Sequence, residues 1–99
     1  MDHKKLSARS IDEILSKFHS WVITEVANGD PSKKTVRSYM GSARAFLNWC
    51  YDQHIDPTKS TERDIKLYRS HLVQSAYRPS TISSRLAGLK HLFNAFLDW

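Results

Sequence analysis

The chain contains the stretch SKKTVRSYMGSARAFLNW at residues 32–49 and the stretch RPSTISSRLAGLKHLFNAF at residues 78–96. A serine near the start of each stretch, Ser32 in the first and Ser80 in the second, is the predicted helix cap, and apolar residues follow at helical spacing. Opposite the apolar positions, both stretches place serine, glycine and alanine, with cations along the edges. A helix face that is only solvated normally carries large charged side chains, so this composition favours a surface that lies against a polyanion.

Two further amphipathic helices are predicted from the rest of the chain. The first starts at Ser10, where Glu13 completes a capping box, and ends near residues 28–31. Another starts at Thr61, with Asp64 three residues later. No segment alternates well enough to predict a strand, so the expected fold class is all-α, a small four-helix bundle. The predicted core positions are Ile11, Ile14, Leu15, Phe18, Val22 and Val26, then Val36, Tyr39, Met40, Ala43, Leu47 and Cys50, then Ile65, Tyr68 and Leu72, and finally Ile82, Leu86, Leu89, Phe93 and Leu97.

The positive charge is concentrated on the second predicted helix. The chain carries a net charge of +5. Residues 32–51 contain four basic residues and no acidic one, which gives this segment a net charge of +4. Such a concentration suits nucleic acid or another anionic partner. A basic helix that is merely solvated would account for the charge equally well.

Composition limits the other classes of function. A single cysteine, Cys50, excludes an internal disulfide and a multi-cysteine zinc site, and the five histidines show no metal-ligand spacing. We therefore expect no metal and no cofactor. No apolar run approaches the roughly 20 residues that cross a bilayer, and the N-terminus lacks a signal peptide, so we expect a cytoplasmic protein without membrane contact. Residues 1–9 are predicted to form a flexible arm.

Projection at 100° per residue gives each stretch a distinct outer face. Both outer faces contain a glycine, and a glycine inside a helix costs about 1 kcal/mol relative to alanine. These glycines therefore indicate a close approach, either of DNA to the backbone or of another helix. On the DNA interpretation, a bulky residue at Gly88 should block docking without harming the fold, whereas on the packing interpretation it should destabilise the fold. The projected outer residues are Lys34, Ser38, Gly41 and Ala45, flanked by Arg37 and Arg44, and Ser80, Ser84, Ala87, Gly88 and His91, flanked by Arg85 and Lys90.

The order of these motifs resembles the core-binding domain of tyrosine recombinases, the family of phage integrases and other enzymes of mobile elements. The resemblance covers residues 10–97 and is carried by four pieces. They are Ser32-x-x-Thr35-Val36-x-x-Tyr39, Phe46-x-x-Trp49, Thr61-x-x-Asp64-Ile65-x-x-Tyr68, and Ser80-Thr81-Ile82-x-x-Arg85-Leu86-x-x-Leu89-x-x-Phe93.

The resemblance implies a SAM-like orthogonal four-helix bundle that clamps double-stranded DNA through its second and fourth helices. It implies three kinds of partner: DNA, a catalytic domain of the same polypeptide, and further recombinase protomers on the DNA. Residues 98–99 would then begin the linker to the catalytic domain. This chain should be no enzyme by itself, because the family's tyrosine nucleophile and its His-x-x-Arg motif belong to that second domain. The alternative is a helical interaction module whose basic face binds an acidic protein. The DNA-binding candidates are Lys33, Lys34, Thr35, Arg37, Ser38, Arg44, Ser80, Thr81, Ser84, Arg85 and Gly88.

Overall fold

The computed structural model describes residues 8–99, which form four α-helices and no strand. The all-α bundle expected from the sequence is therefore confirmed. The first helix begins two residues before the predicted Ser10, and the rest of the proposed arm, residues 1–7, lies outside the described residues. The helices are α1 (Ala8–Glu25), α2 (Lys33–Gln53), α3 (Glu62–Gln74) and α4 (Pro79–Asp98), with short 3₁₀ turns at Val26–Gly29 and Pro57–Lys59.

Two of the predicted helix starts are confirmed in atomic detail. The Ser32 hydroxyl accepts a hydrogen bond of 3.0 Å from the Thr35 N–H at the start of α2. At the start of α3, the Thr61 hydroxyl accepts from the Asp64 N–H at 3.3 Å, and the Asp64 carboxylate accepts from the Thr61 N–H at 2.9 Å. This reciprocal pair is a capping box, which satisfies two backbone donors that the helix itself leaves unpaired.

The fourth helix starts differently from the prediction that Ser80 caps it. Arg78 occupies the cap position, and its side chain makes no capping hydrogen bond within the described structure. Pro79 is the first helical residue, because its fixed φ suits a helix and its missing N–H would have had no partner there. Ser80 therefore lies inside the first turn, where its exposed hydroxyl is available to other groups.

A left-handed residue ends α3 and reverses the chain into α4. Ala76 has φ 63°, and its N–H donates to the Val73 carbonyl at 3.1 Å. The next N–H, from Tyr77, donates to the Leu72 carbonyl at 3.4 Å, which completes a Schellman motif. Because this turn is tight, Tyr77 lies only two residues before Pro79, the first residue of α4.

The core is built from all four helices, and its largest fully buried side chains include Tyr68, Phe18 and Phe46. The predicted apolar stripes of α1, α2 and α3 all belong to this core or pack against it. In α4, however, the buried face includes Leu92 and Ala95, while Leu97 is 84% exposed. The prediction of a buried Leu97 is therefore wrong.

The other four predicted core residues of α4, Ile82, Leu86, Leu89 and Phe93, belong to the core or pack against it, and the buried face extends beyond them to include Leu92 and Ala95. This wider face includes Gly88, which lies in the contact with α2. Gly88 is buried, and a Cβ atom added there would lie only 2.6 Å from the Cβ of Ser42, which is itself 6% exposed. The projection of Gly88 onto the outer face is therefore wrong, and the helix-packing interpretation holds. His91, also expected on the outer face, is half-buried and stacks on Tyr39 with 4.3 Å between ring centres.

Candidate nucleic-acid interface

A groove of about 330 Å³ lies between α2 and the first two turns of α4. It contains one guanidinium from each helix and otherwise serine, threonine and glycine. None of its described lining residues is acidic. Because the two arginines are uncompensated within it, the groove has a positive potential. The lining residues are Arg37, Ser38, Gly41, Ser42, Ser80, Thr81, Ser84 and Arg85.

Six of the predicted DNA-binding residues line this groove: Arg37, Ser38, Ser80, Thr81, Ser84 and Arg85. Lys33, Lys34 and Arg44 are exposed on α2 outside it, where they extend the positive surface. The Thr35 side chain is half-buried, and its hydroxyl accepts a 2.9 Å hydrogen bond from Ser32 Oγ. Gly88 is excluded from this surface because it is buried between the helices.

Gly41 is the glycine that the structure leaves on the outer face. It is exposed in the wall of the groove, and a Cβ atom added there would meet no described atom within 4 Å. Gly88 and Gly41 therefore have different structural roles. Gly88 lets two helices approach each other, whereas Gly41 leaves space on the surface.

The N-terminus of α4 adds to the positive potential of the groove. Ser80 and Thr81, in its first turn, line the groove. The first N–H groups of a helix have no partner within the helix, and the helix dipole is positive at this end. An anion in the groove would therefore be attracted by the helix terminus as well as by Arg37 and Arg85.

Arg85 is held by aromatic neighbours that the sequence analysis did not identify. Its guanidinium carbon lies 4.7 Å from the centre of the Tyr77 ring. Beside it, the Tyr68 hydroxyl is buried and has no hydrogen-bond partner within the described structure. Burial raises the pKa of Tyr68, and the nearby Arg85 guanidinium opposes that rise. Nothing in the sequence marked Tyr77, since its position depends on an alanine in the left-handed conformation.

Cys50 has no place in this site. Its side chain is fully buried. Burial, reinforced by the negative charges of Asp64 and Asp56, raises the pKa of its thiol to about 12. A thiol that stays protonated is a poor nucleophile, so Cys50 is a core residue.

Comparison with protein families identifies the class of domain. Residues 22–99 match the family described as phage integrase, N-terminal SAM-like domain, and the chain belongs to this family. It is thus a recombinase-family domain, as the motifs from Ser32 onwards indicated. The match begins inside α1 and includes α2, α3 and α4. No curated protein and no solved structure matches the chain significantly.

In the described part of the chain, no helix is both long enough and apolar enough to cross a membrane.

Proposed function

We propose that the chain binds duplex DNA in the groove between α2 and α4, as the core-binding domain of a site-specific tyrosine recombinase. One observation carries this proposal: two helices bring their arginines, hydroxyls and small residues together in one groove that no described carboxylate lines. The exposed cations Lys33, Lys34 and Arg44 lie on α2 as well and would contact phosphates beside the groove.

Each kind of residue has a distinct role in such binding. The lysines and arginines neutralise phosphates and release condensed counterions, which supplies most of the affinity. The serine and threonine hydroxyls donate to phosphates or to base edges, and they discriminate poorly because a hydroxyl both donates and accepts. Gly41 leaves room for the duplex to approach the backbone of α2.

Strand cleavage would be carried out by a catalytic domain of the same polypeptide. In that arrangement this chain grips the recombination site, orients it, and works beside other recombinase protomers on the DNA. We expect the chain alone to bind duplex DNA weakly and largely without sequence preference, and to cut none.

Salt dependence distinguishes DNA binding from the alternative of an acidic protein partner. If about 4–6 phosphates are neutralised, the logarithm of the binding constant should fall with the logarithm of salt concentration at a slope of roughly −4 to −5. A fluorescence-anisotropy titration with a random duplex at several salt concentrations measures this slope. A flat response, or no binding at low salt, would contradict the DNA proposal and favour the protein partner.

Substitutions at Gly41 test where the duplex lies. Gly41→Leu should abolish or strongly weaken duplex binding, because its side chain would fill the groove while the fold survives. Gly41→Ala is the matched control, since it adds only a methyl group in open space. It should raise the free energy of unfolding by about 0.5–1 kcal/mol through helix propensity. If Gly41→Leu binds DNA as the native chain does, the duplex does not lie in this groove.

Removing two exposed cations of α2 tests separately how much the positive charge of this helix contributes to DNA binding. Arg37→Ala combined with Arg44→Ala should weaken DNA binding and make the salt slope shallower by about 2, because two phosphate contacts are lost. The melting temperature should change little, since both side chains are exposed. Lost binding together with a collapsed melting transition would show that these arginines are structural.

A further inference from the structure

Arg85 differs from the other cations of the surface because aromatic residues restrain it. Its guanidinium carbon lies over the Tyr77 ring, 4.7 Å from the ring centre. Arg85 is half-buried, whereas Arg37 on the opposite wall of the groove is exposed. A guanidinium that is stacked on a ring keeps its planar edges free for hydrogen bonds.

The Tyr68 hydroxyl lies beside the same guanidinium and offers it a hydrogen-bond acceptor. Tyr68 is 1% exposed, and its hydroxyl is buried without a partner in the described structure. Leaving a buried hydroxyl unpaired is unfavourable, and Arg85 is the neighbouring cation. A guanidinium has five N–H donors in one plane, so one of them can satisfy Tyr68 while another edge faces the groove.

We infer that Arg85 reads a guanine in the major groove of bound DNA, and that Tyr77 and Tyr68 are the residues that position it. The inference depends on the proposed DNA binding. Arginine donates two parallel hydrogen bonds to O6 and N7 of guanine, and this fork is the strongest base-specific contact available to the residues of this groove. The ring and the hydroxyl restrain the fork before binding, so less side-chain freedom is lost when it forms.

A selection from duplexes with a randomised centre tests the inference. The native chain should enrich guanine at one position, which is the one exception to the expected lack of sequence preference. At that position it should bind guanine about 5- to 150-fold more tightly than adenine. Replacing that guanine with 7-deazaguanine, which lacks the N7 acceptor, should remove a large part of the preference while leaving the duplex and its phosphates unchanged.

Arg85→Lys is the decisive variant. It keeps the charge but replaces the planar guanidinium with a flexible ammonium that is less well oriented toward guanine, so the preference for guanine over 7-deazaguanine should fall sharply. Arg37→Lys is the matched control from the opposite wall, and it should keep the guanine preference. The salt slope should stay the same in both variants because neither removes a cation.

The two positioning residues are tested by conservative changes. Tyr68→Phe keeps the buried ring and removes only the hydroxyl, so the fold should survive while the guanine preference falls by about 2- to 5-fold. Tyr77→Ala should lower the preference by a similar factor, and Tyr77→Phe should retain it because the ring remains. A purely structural role would change the melting temperature without changing the ratio between guanine and 7-deazaguanine.

The possible failures can be told apart. If the native chain binds no duplex, the proposed function itself fails. If it binds duplexes without a guanine preference, or if Arg85→Lys retains that preference, this inference is overturned and the proposed function stands. A guanine preference that survives both Tyr68→Phe and Tyr77→Ala would overturn the positioning role of the two tyrosines.

Discussion

Gly88→Ala should destabilise the bundle although alanine is the better helix former. The added Cβ would lie 2.6 Å from Ser42 Cβ and 2.7 Å from Ser42 Oγ. Ordinary carbon–carbon contacts are about 3.5–4.0 Å, so α2 and α4 would have to separate by roughly 1 Å at this point. Rotating the Ser42 side chain moves Oγ but leaves Cβ where it is. Overpacking of this kind costs about 1–3 kcal/mol, against a gain of about 1 kcal/mol in helix propensity.

The control Gly41→Ala separates these two contributions. It makes the same chemical change in a helix where no described atom lies within 4 Å of the new Cβ, so it reports helix propensity alone. The free energies of unfolding of the two variants, measured by urea titration, should therefore differ by about 1–3 kcal/mol, with Gly88→Ala the less stable. For a domain of this size, each kcal/mol corresponds to about 4–8 °C in melting temperature.

A double-mutant cycle identifies the contact itself. In a Ser42→Gly background the clashing Cβ is gone, so Gly88→Ala should become neutral or stabilising. The expected coupling between the two positions is about 1–3 kcal/mol. Additive effects, or a Gly88→Ala variant as stable as Gly41→Ala, would refute the close crossing of α2 and α4.

Three further changes are expected to have measurable effects. Because the pKa of Cys50 is raised to about 12 in the fold, the unfolded thiol loses its proton first as the pH rises above about 9. The free energy of unfolding should then fall by at most about 1.4 kcal/mol per pH unit between pH 9 and 12, and this component should be absent from the pH profile of Cys50→Ala. Ala76→Gly should raise the free energy of unfolding by about 0.5–1 kcal/mol in a urea titration, since Ala76 has φ 63° and an exposed side chain; an unchanged or lower value would contradict the left-handed turn. Trp21→Phe removes the 2.7 Å hydrogen bond from Trp21 Nε1 to the Asp98 carboxylate. Hydrogen exchange of the backbone amides in the last turn of α4 should therefore be faster than in the native chain. Equal exchange rates in the two proteins would show that this bond does not stabilise the end of the helix.

The sequence was sufficient for the parts of the fold that depend on local chemistry. Thr61 and Asp64 identify a capping box because the interaction lies within four residues, and the stripe of α1 faces the core as projected. The full extent of the buried face of α4 was not predictable in the same way. Its sequence offers apolar residues on more than one side, and the choice between burying Leu92 or Leu97 depends on where α2 lies.

In the candidate site too, the sequence predicts which residues share a helix face, but not how the faces of different helices come together. Helical projection was sufficient to group Arg37 with Ser38, and Ser84 with Arg85, because each pair lies on one helix. That these two faces form one groove follows from the crossing of α2 and α4. Tyr77 joins the site only through a left-handed alanine, whose conformation the residue type does not reveal.

The contact between Gly88 and Ser42 also determines how adaptable the binding surface is. Helices separated by long side chains can shift as those side chains change rotamer, but Gly88 lies against the Cβ of Ser42, which cannot rotate away. The spacing between the two walls of the groove is therefore fixed before any ligand arrives. A B-form duplex presents a wide major groove that admits an α-helix, whereas the major groove of A-form RNA is deep and narrow. On the proposed function, two helices that cannot move apart or together to suit the ligand would bind B-form DNA in preference to A-form RNA by shape, independently of any contact with the 2′-hydroxyl group.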